Sequence, residues 1–186
     1  MQNHGISLEC LLSYKQVNIG FIQDCVNILN NYGFYLRKDE EIVIVSDEFE
    51  IITYEKLLKE NLGFVKAKSV PNIILNFRGE LYDVDTDLSI SVNKKNEVVT
   101  ISIPEKVIWA YYPEFMKPDI NRFMFFVNIC KKICYMYPPM FAFIGEESYD
   151  SEDFSINNLK NNNIIEAYNE SFFSEENLRT LFSAIL

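Results

Sequence analysis

The chain has 186 residues, 48% of them hydrophobic and 15% aromatic, and a formal net charge of −10. That length fits one domain, and the apolar content supports a sizeable core, so global disorder is excluded. A polyanion of this kind is repelled by nucleic acid and by anionic lipid, which leaves basic proteins or cationic ligands as the favoured partners.

The first residues, Met-Gln-Asn-His4-Gly-Ile-Ser, lack the basic and apolar regions of a signal peptide, and no segment is long enough to span a bilayer. Cys10, Cys25, Cys130 and Cys134 sit in apolar periodic stretches, the pattern of buried, reduced thiols in a cytoplasmic protein. Ile6, Leu8, Cys10 and Leu12 alternate and predict a first strand over residues 6–12. Val17, Phe21, Cys25, Ile28 and Leu29 then follow a helical stripe, which predicts a helix over 15–32 with Gly33 just past its C-cap. Residues 41–46 and 49–53 are strand-like around a turn at Ser46-Asp47-Glu48. Residues 54–61 predict a short helix ended by Gly63.

The clearest pattern follows. Ile73, Leu75 and Phe77 alternate with Ile74, Asn76 and Arg78. Tyr82, Val84, Thr86, Leu88, Ile90 and Val92 share one parity; Leu81, Asp83, Asp85, Asp87, Ser89 and Ser91 share the other. Beyond a turn at 93–96, Val99, Ile101 and Ile103 resume the apolar face until Pro104. This is a meander of antiparallel strands with one dry and one wet face. Residues 107–112 are aromatic and read either as a short helix or as a turn packed on the core.

Asp119, after Pro118, is the expected N-cap of a long helix. Ile120, Phe123, Met124, Val127, Cys130, Ile133 and Cys134 recur at spacings of three and four, and Phe125, Phe126 and Ile129 widen the stripe. Only Asn121, Asn128 and Lys132 form a polar line, so the helix is expected to be buried on most sides and to cover the dry sheet face. Pro138 and Pro139 stop it, and residues 140–144 predict a short buried strand ended by Gly145. Glu146, Glu147, Tyr149, Asp150, Glu152 and Asp153 then make the most acidic segment of the chain. From about residue 154 a helical tail is expected, with a helix start at 174–177 followed by Leu178, Leu181, Phe182 and Ile185 at helical spacing. There is no repeat of fixed period and no Gly/Ser- or Pro-rich linker. The expectation is therefore a single α+β domain over 1–186: an antiparallel meander sheet, one face covered by a long buried helix, with peripheral helices.

Known chemistry finds little to work with. His4 is the single histidine, which excludes a histidine-based triad or a metalloprotease helix. Cys130 and Cys134 have a spacing that can hold a metal, but zinc needs further ligands and none is near in sequence, so no metal is expected. Asp83-Val-Asp85-Thr-Asp87 looks like the start of a calcium loop, yet Leu88 and Lys94 stand where that loop needs Gly and Glu; a solvated sheet face explains the acids better. None of the six glycines has phosphate-loop spacing, so no nucleotide cofactor is expected. With 27 acidic residues, no carboxylate pair means anything without geometry.

Beside a structural subunit, whose sign would be a large apolar self-interface, two functional readings remain open. In one, carboxylates beside an aromatic pocket of Trp109, Tyr111 and Tyr112 serve a small-molecule binder or an enzyme. In the other, Glu146, Glu147, Tyr149, Asp150, Glu152 and Asp153 form a docking surface for a basic protein rather than a merely solvated loop, with Tyr149 and Phe154 as apolar anchors.

The helix leading through Pro138-Pro139 to Phe141-Ala-Phe-Ile-Gly145-Glu-Glu147, in an acidic chain of this length, resembles immunity proteins of bacterial polymorphic-toxin systems. The resemblance covers about a fifth of the chain and its overall composition. It implies a non-enzymatic cytoplasmic protein that binds and neutralises a cognate toxin, often a basic nuclease; no toxin-contact residue carries over from it. Heavy use of Asn, Ile, Lys, Phe and Tyr points likewise to an AT-rich bacterial genome.

Overall fold

A computed structural model describes residues 7–37, 42–45, 50–60, 72–93, 97–108, 119–139 and 141–146. β1 (Ser7–Ser13) forms where Leu8, Cys10 and Leu12 alternate, and all three are buried. α1 (Ile19–Asn31) starts four residues later than residues 15–32 predict. The reason is local: the Asn18 side chain accepts from the Phe21 N–H at 3.0 Å and caps the helix there. Val17, though apolar and buried, stays outside, its N–H donating to the Glu97 carboxylate at 2.8 Å.

The far end of α1 closes as Gly33 predicts. Gly33 takes φ +83°. Its N–H donates to the Asn30 carbonyl at 3.1 Å, and the Phe34 N–H reaches back to the Leu29 carbonyl at 2.9 Å. These two bonds satisfy carbonyls that the helix end leaves open, and the left-handed residue they require suits glycine.

There follow β2 (Tyr35–Leu36), β3 (Ile42–Val45), β4 (Glu50–Ile52), α2 (Tyr54–Glu60), β5 (Asn72–Leu81), β6 (Val84–Asn93) and β7 (Val98–Pro104). α3 (Glu105–Ile108), α4 (Ile120–Met136) and β8 (Phe141–Glu146) complete the described elements. All described strand pairings are antiparallel, in the order β4-β3-β5-β6-β7-β1-β8, with β2 on β5. The fold is α+β. The meander is β5-β6-β7, and β1 lies between β7 and β8.

The register aligns the dry face. Ile144, Cys10, Ile101, Ile90 and Leu75 are successive partners across five strands, and all are buried. α1 and α4 lie against this face: Phe21, Ile22, Cys25 and Leu29 of one, and Phe126, Val127, Cys130 and Ile133 of the other, join the same core. Edge-on ring contacts tie the two helices, Phe21 to Tyr137 with centroids 5.0 Å apart and Tyr32 to Phe125 at 5.6 Å.

Four expectations need correcting. α4 is not buried on most sides: it sinks one face, while Ile120 is 61% and Tyr135 83% exposed. Leu81, placed by parity on the wet face, is fully buried, and Tyr82, placed on the dry face, is 58% exposed. Leu81 belongs to β5 and pairs with Val84 across a two-residue turn, so parity restarts at β6. In that turn the Asp83 N–H donates to the Leu81 carbonyl at 2.8 Å, with Tyr82 at φ +61° between them. The wet face is also not wholly wet, since Leu11, Ser13 and Val98 are buried on it. Finally, Gly145 lies inside β8, which runs on to Glu146.

Candidate binding surface

The second face of the sheet collects the polar side chains of the meander. Asn76, Ser89, Ser102 and Glu9 are partners along one row, and the Ser89 and Ser102 hydroxyls are 2.7 Å apart. Toward the β5–β6 turn the face opens: Arg78, Glu80 and Asp85 are exposed, and Tyr35, opposite Arg78, is exposed as well.

At this corner the three acids of Asp83-Val-Asp85-Thr-Asp87 are fixed by arginines. The Arg78 guanidinium donates twice to Asp85, at 2.9 and 2.5 Å, and once to Asp87 at 3.1 Å; Arg37 stands 3.8 Å from Asp87. Arg122, from the first turn of α4, donates to both oxygens of Asp83 at 2.7 and 3.2 Å and to the Val107 carbonyl at 3.2 Å. Hydrogen bonds to the charged forms dominate the electrostatics. They hold the Asp83 carboxyl below the usual carboxylate range and push the Arg78 and Arg122 guanidiniums up. A calcium ion would have to displace these guanidiniums. The acids are instead a preset array of carboxylates, each about half exposed, held in one orientation by planar donors.

Asp119 does what its position predicts: its carboxylate accepts from the Asn121 and Arg122 N–H groups at 3.0 and 3.1 Å, capping α4. Arg122 therefore joins the helix start to the hairpin tip.

The four cysteines are all buried and free. They gather around Tyr14, whose buried hydroxyl has no hydrogen-bond partner among the described residues. Burial first, then neighbouring Cys134, Cys25, Cys10 and Cys130, push that phenol well above its ordinary value. Burial also raises the thiols of Cys25 and Cys130, and that of Cys134 up to about 12. Thiols held in this way stay protonated and unreactive. Among the described residues no three His, Cys, Asp or Glu side chains are grouped to hold a metal ion, and no helix is long and apolar enough to cross a membrane.

The same region contains one strong polar tie between the helices: the Tyr137 hydroxyl donates to the Asp24 carboxylate at 2.5 Å. That bond, and burial after it, push the Tyr137 phenol up to about 12 from 10.0. A folded-state value above the unfolded one gives stability that is complete below pH 10 and lost as pH rises toward about 12. Tyr137→Phe should therefore unfold at lower urea at neutral pH, and lose less further stability than the parent between about pH 9 and pH 12. Urea titrations at stepped pH read both; an unchanged alkaline limb would show that the bond contributes nothing.

Of the site residues chosen from sequence, Glu146 ends β8, its backbone opposite Leu8. Glu147, Tyr149, Asp150, Glu152 and Asp153 lie outside the described residues, as do His4, Trp109, Tyr111 and Tyr112 and the turn and helix ends at 46–48 and 63. The arginine-set carboxylate corner was missed. Its signal was present: Arg78 and Asp85 each fall in the polar set of their own run, but on opposite parities, and seeing them paired requires knowing that the turn is at Tyr82-Asp83, where no glycine or Asn-Gly marks it. Compared with known protein families, with curated proteins and with solved structures, the chain matches none.

Proposed function

We propose that this chain is a non-enzymatic binding protein that captures a basic protein, and that the captured protein is a bacterial toxin whose working site it occludes, as an immunity protein does. The observation that carries the reading is the open sheet corner. There Asp83, Asp85 and Asp87 are held by Arg122 and Arg78, with exposed Tyr35 opposite Arg78 and exposed Tyr82 at the hairpin tip. Carboxylates already fixed lose little freedom when a partner's lysines or arginines arrive, and half-exposed tyrosines supply rigid apolar area at modest entropic cost. The net charge of −10 adds long-range attraction for a basic surface. The acidic run Glu146, Glu147, Tyr149, Asp150, Glu152 and Asp153 extends the same chemistry along the chain.

The test is co-expression with a toxin-domain protein encoded beside this chain. Growth should be rescued, and the two proteins should co-purify. Lysine at Glu146, Glu147, Asp150 and Glu152 together should slow association by about tenfold or more and flatten its salt dependence. Failure of the unaltered chain to rescue growth or form a complex would refute the toxin reading. Association unaffected by the four lysines would remove that run from the surface.

A further inference from the structure

Two residues at the tip of the β5–β6 hairpin stand where folding alone would not place them. Tyr82 takes φ +61° in a tight turn, closed by the Asp83 N–H donating to the Leu81 carbonyl. That region of backbone costs any residue but glycine, and a bulky one most of all. No contact among the described residues offsets the cost: the ring is exposed and makes no hydrogen bond or ring contact there. Glu80, two residues earlier, is also exposed and lies directly opposite Asp85. Like charges placed in this way repel. Arg78 and Arg122 are committed to Asp85, Asp87 and Asp83, and Glu80 has no ion-pair partner among the described residues.

The tip is nonetheless anchored. The Arg122 side chain, only 18% exposed, grips both oxygens of Asp83, the residue after Tyr82, and the Val107 carbonyl. The same first turn of α4 carries exposed Ile120. An aromatic ring held out on an anchored backbone loses little freedom when a partner closes on it. A cation is the group for which both misfits become favourable. It is attracted to the face of a phenol ring, and it neutralises a carboxylate that a neighbouring carboxylate repels. Arginine does both at once, since its guanidinium is planar for stacking and carries N–H donors for a carboxylate.

We propose that Tyr82 and Glu80 are the anchor point of the partner surface: an arginine of the captured basic protein stacks on the Tyr82 ring and donates to the Glu80 carboxylate. The contact rests on the capture of a basic protein proposed above, and locates it. The free chain carries a strained turn and a repelled carboxylate because the bound chain uses both.

Two measurements on the full chain test it: thermal unfolding of the free protein, and calorimetric titration with the toxin-domain protein encoded beside it. Tyr82→Gly should melt about 2–4 °C above the parent, because glycine accepts the positive φ. The same variant should nevertheless bind the toxin domain at least about tenfold more weakly. Tyr82→Phe keeps the ring and should recover most of that loss. Glu80→Gln should melt no lower than the parent, bind about tenfold more weakly and show a shallower salt dependence. A Tyr82→Gly chain that fails to melt higher, or that loses less affinity than this, overturns the proposal. So does an equal loss in Tyr82→Phe, which would make the hydroxyl the contact, and so does undiminished affinity in Glu80→Gln. A parent chain that binds no toxin domain instead refutes the capture itself, and the anchor with it.

Discussion

Phe126→Ala is expected to lower the free energy of unfolding by about 3–5 kcal/mol. Phe126 is fully buried and among the largest such side chains in the chain. It sits midway along α4, on the helix's buried face, and belongs to the one core that also holds Val127, Cys130 and the inward side chains of the sheet. Its removal forfeits the transfer free energy of a phenyl ring and leaves a cavity that a close-packed core refills only in part. In urea the midpoint should fall while the slope with denaturant stays the same, because the surface exposed on unfolding hardly changes. Tyr135→Ala, on the same helix but 83% exposed, should change stability by no more than about 0.5 kcal/mol. A loss below about 1 kcal/mol at Phe126 would mean that α4 does not close the dry face of the sheet.

Gly79→Ala tests a second contact and turns on a sign. In an ordinary strand, alanine is the better residue by roughly 0.5–1 kcal/mol, since glycine loses more freedom on folding. Here a Cβ would stand 2.5 Å from the Gly33 carbonyl oxygen and 2.9 Å from the Phe34 Cα. Both are backbone atoms, and both are anchored: Gly33 and Phe34 close the end of α1, and β2 runs on beside β5 with the Arg37 N–H donating to the Asn76 carbonyl at 3.1 Å. The link from α1 into β2 therefore passes over β5 where β5 has no side chain. The clash should reverse the ordinary preference and destabilise by about 1–3 kcal/mol, seen as a lower melting temperature. A neutral or stabilised variant would place that link farther from the sheet.

Both effects are invisible in the local pattern. The period-two alternation of residues 73–92 makes Gly79 an unremarkable member of a strand, and the helical stripe from Ile120 to Cys134 makes Phe126 one apolar residue among many. The misplacement of Tyr82 and Leu81 has the same origin. Alternation follows a strand only while the strand lasts, and the turn at Tyr82-Asp83 contains neither glycine nor proline to announce the break. The expectation of a helix buried on most sides failed because composition counts apolar residues around a helix without knowing how many neighbours surround it. α4 has the sheet beneath it and α1 beside it, and these cover only one broad side.

By itself the sequence determined the strand alternation and its dry face, the caps at Asp119 and Gly33, the stop at Pro138-Pro139, the burial of four thiols and a net charge of −10. Each follows from spacing of three or four, spacing of two, or the chemistry of single residues acting on their own backbone. Only the tertiary structure decided that β1 lies between β7 and β8, that Arg78 and Arg122 hold the three hairpin aspartates, that the cysteines meet at Tyr14, and that Ile120 and Tyr135 of α4 stay in water. These depend on which distant segments are brought together. Pairing energies of about 1 kcal/mol or less per contact leave no mark on local periodicity, although together they choose the arrangement.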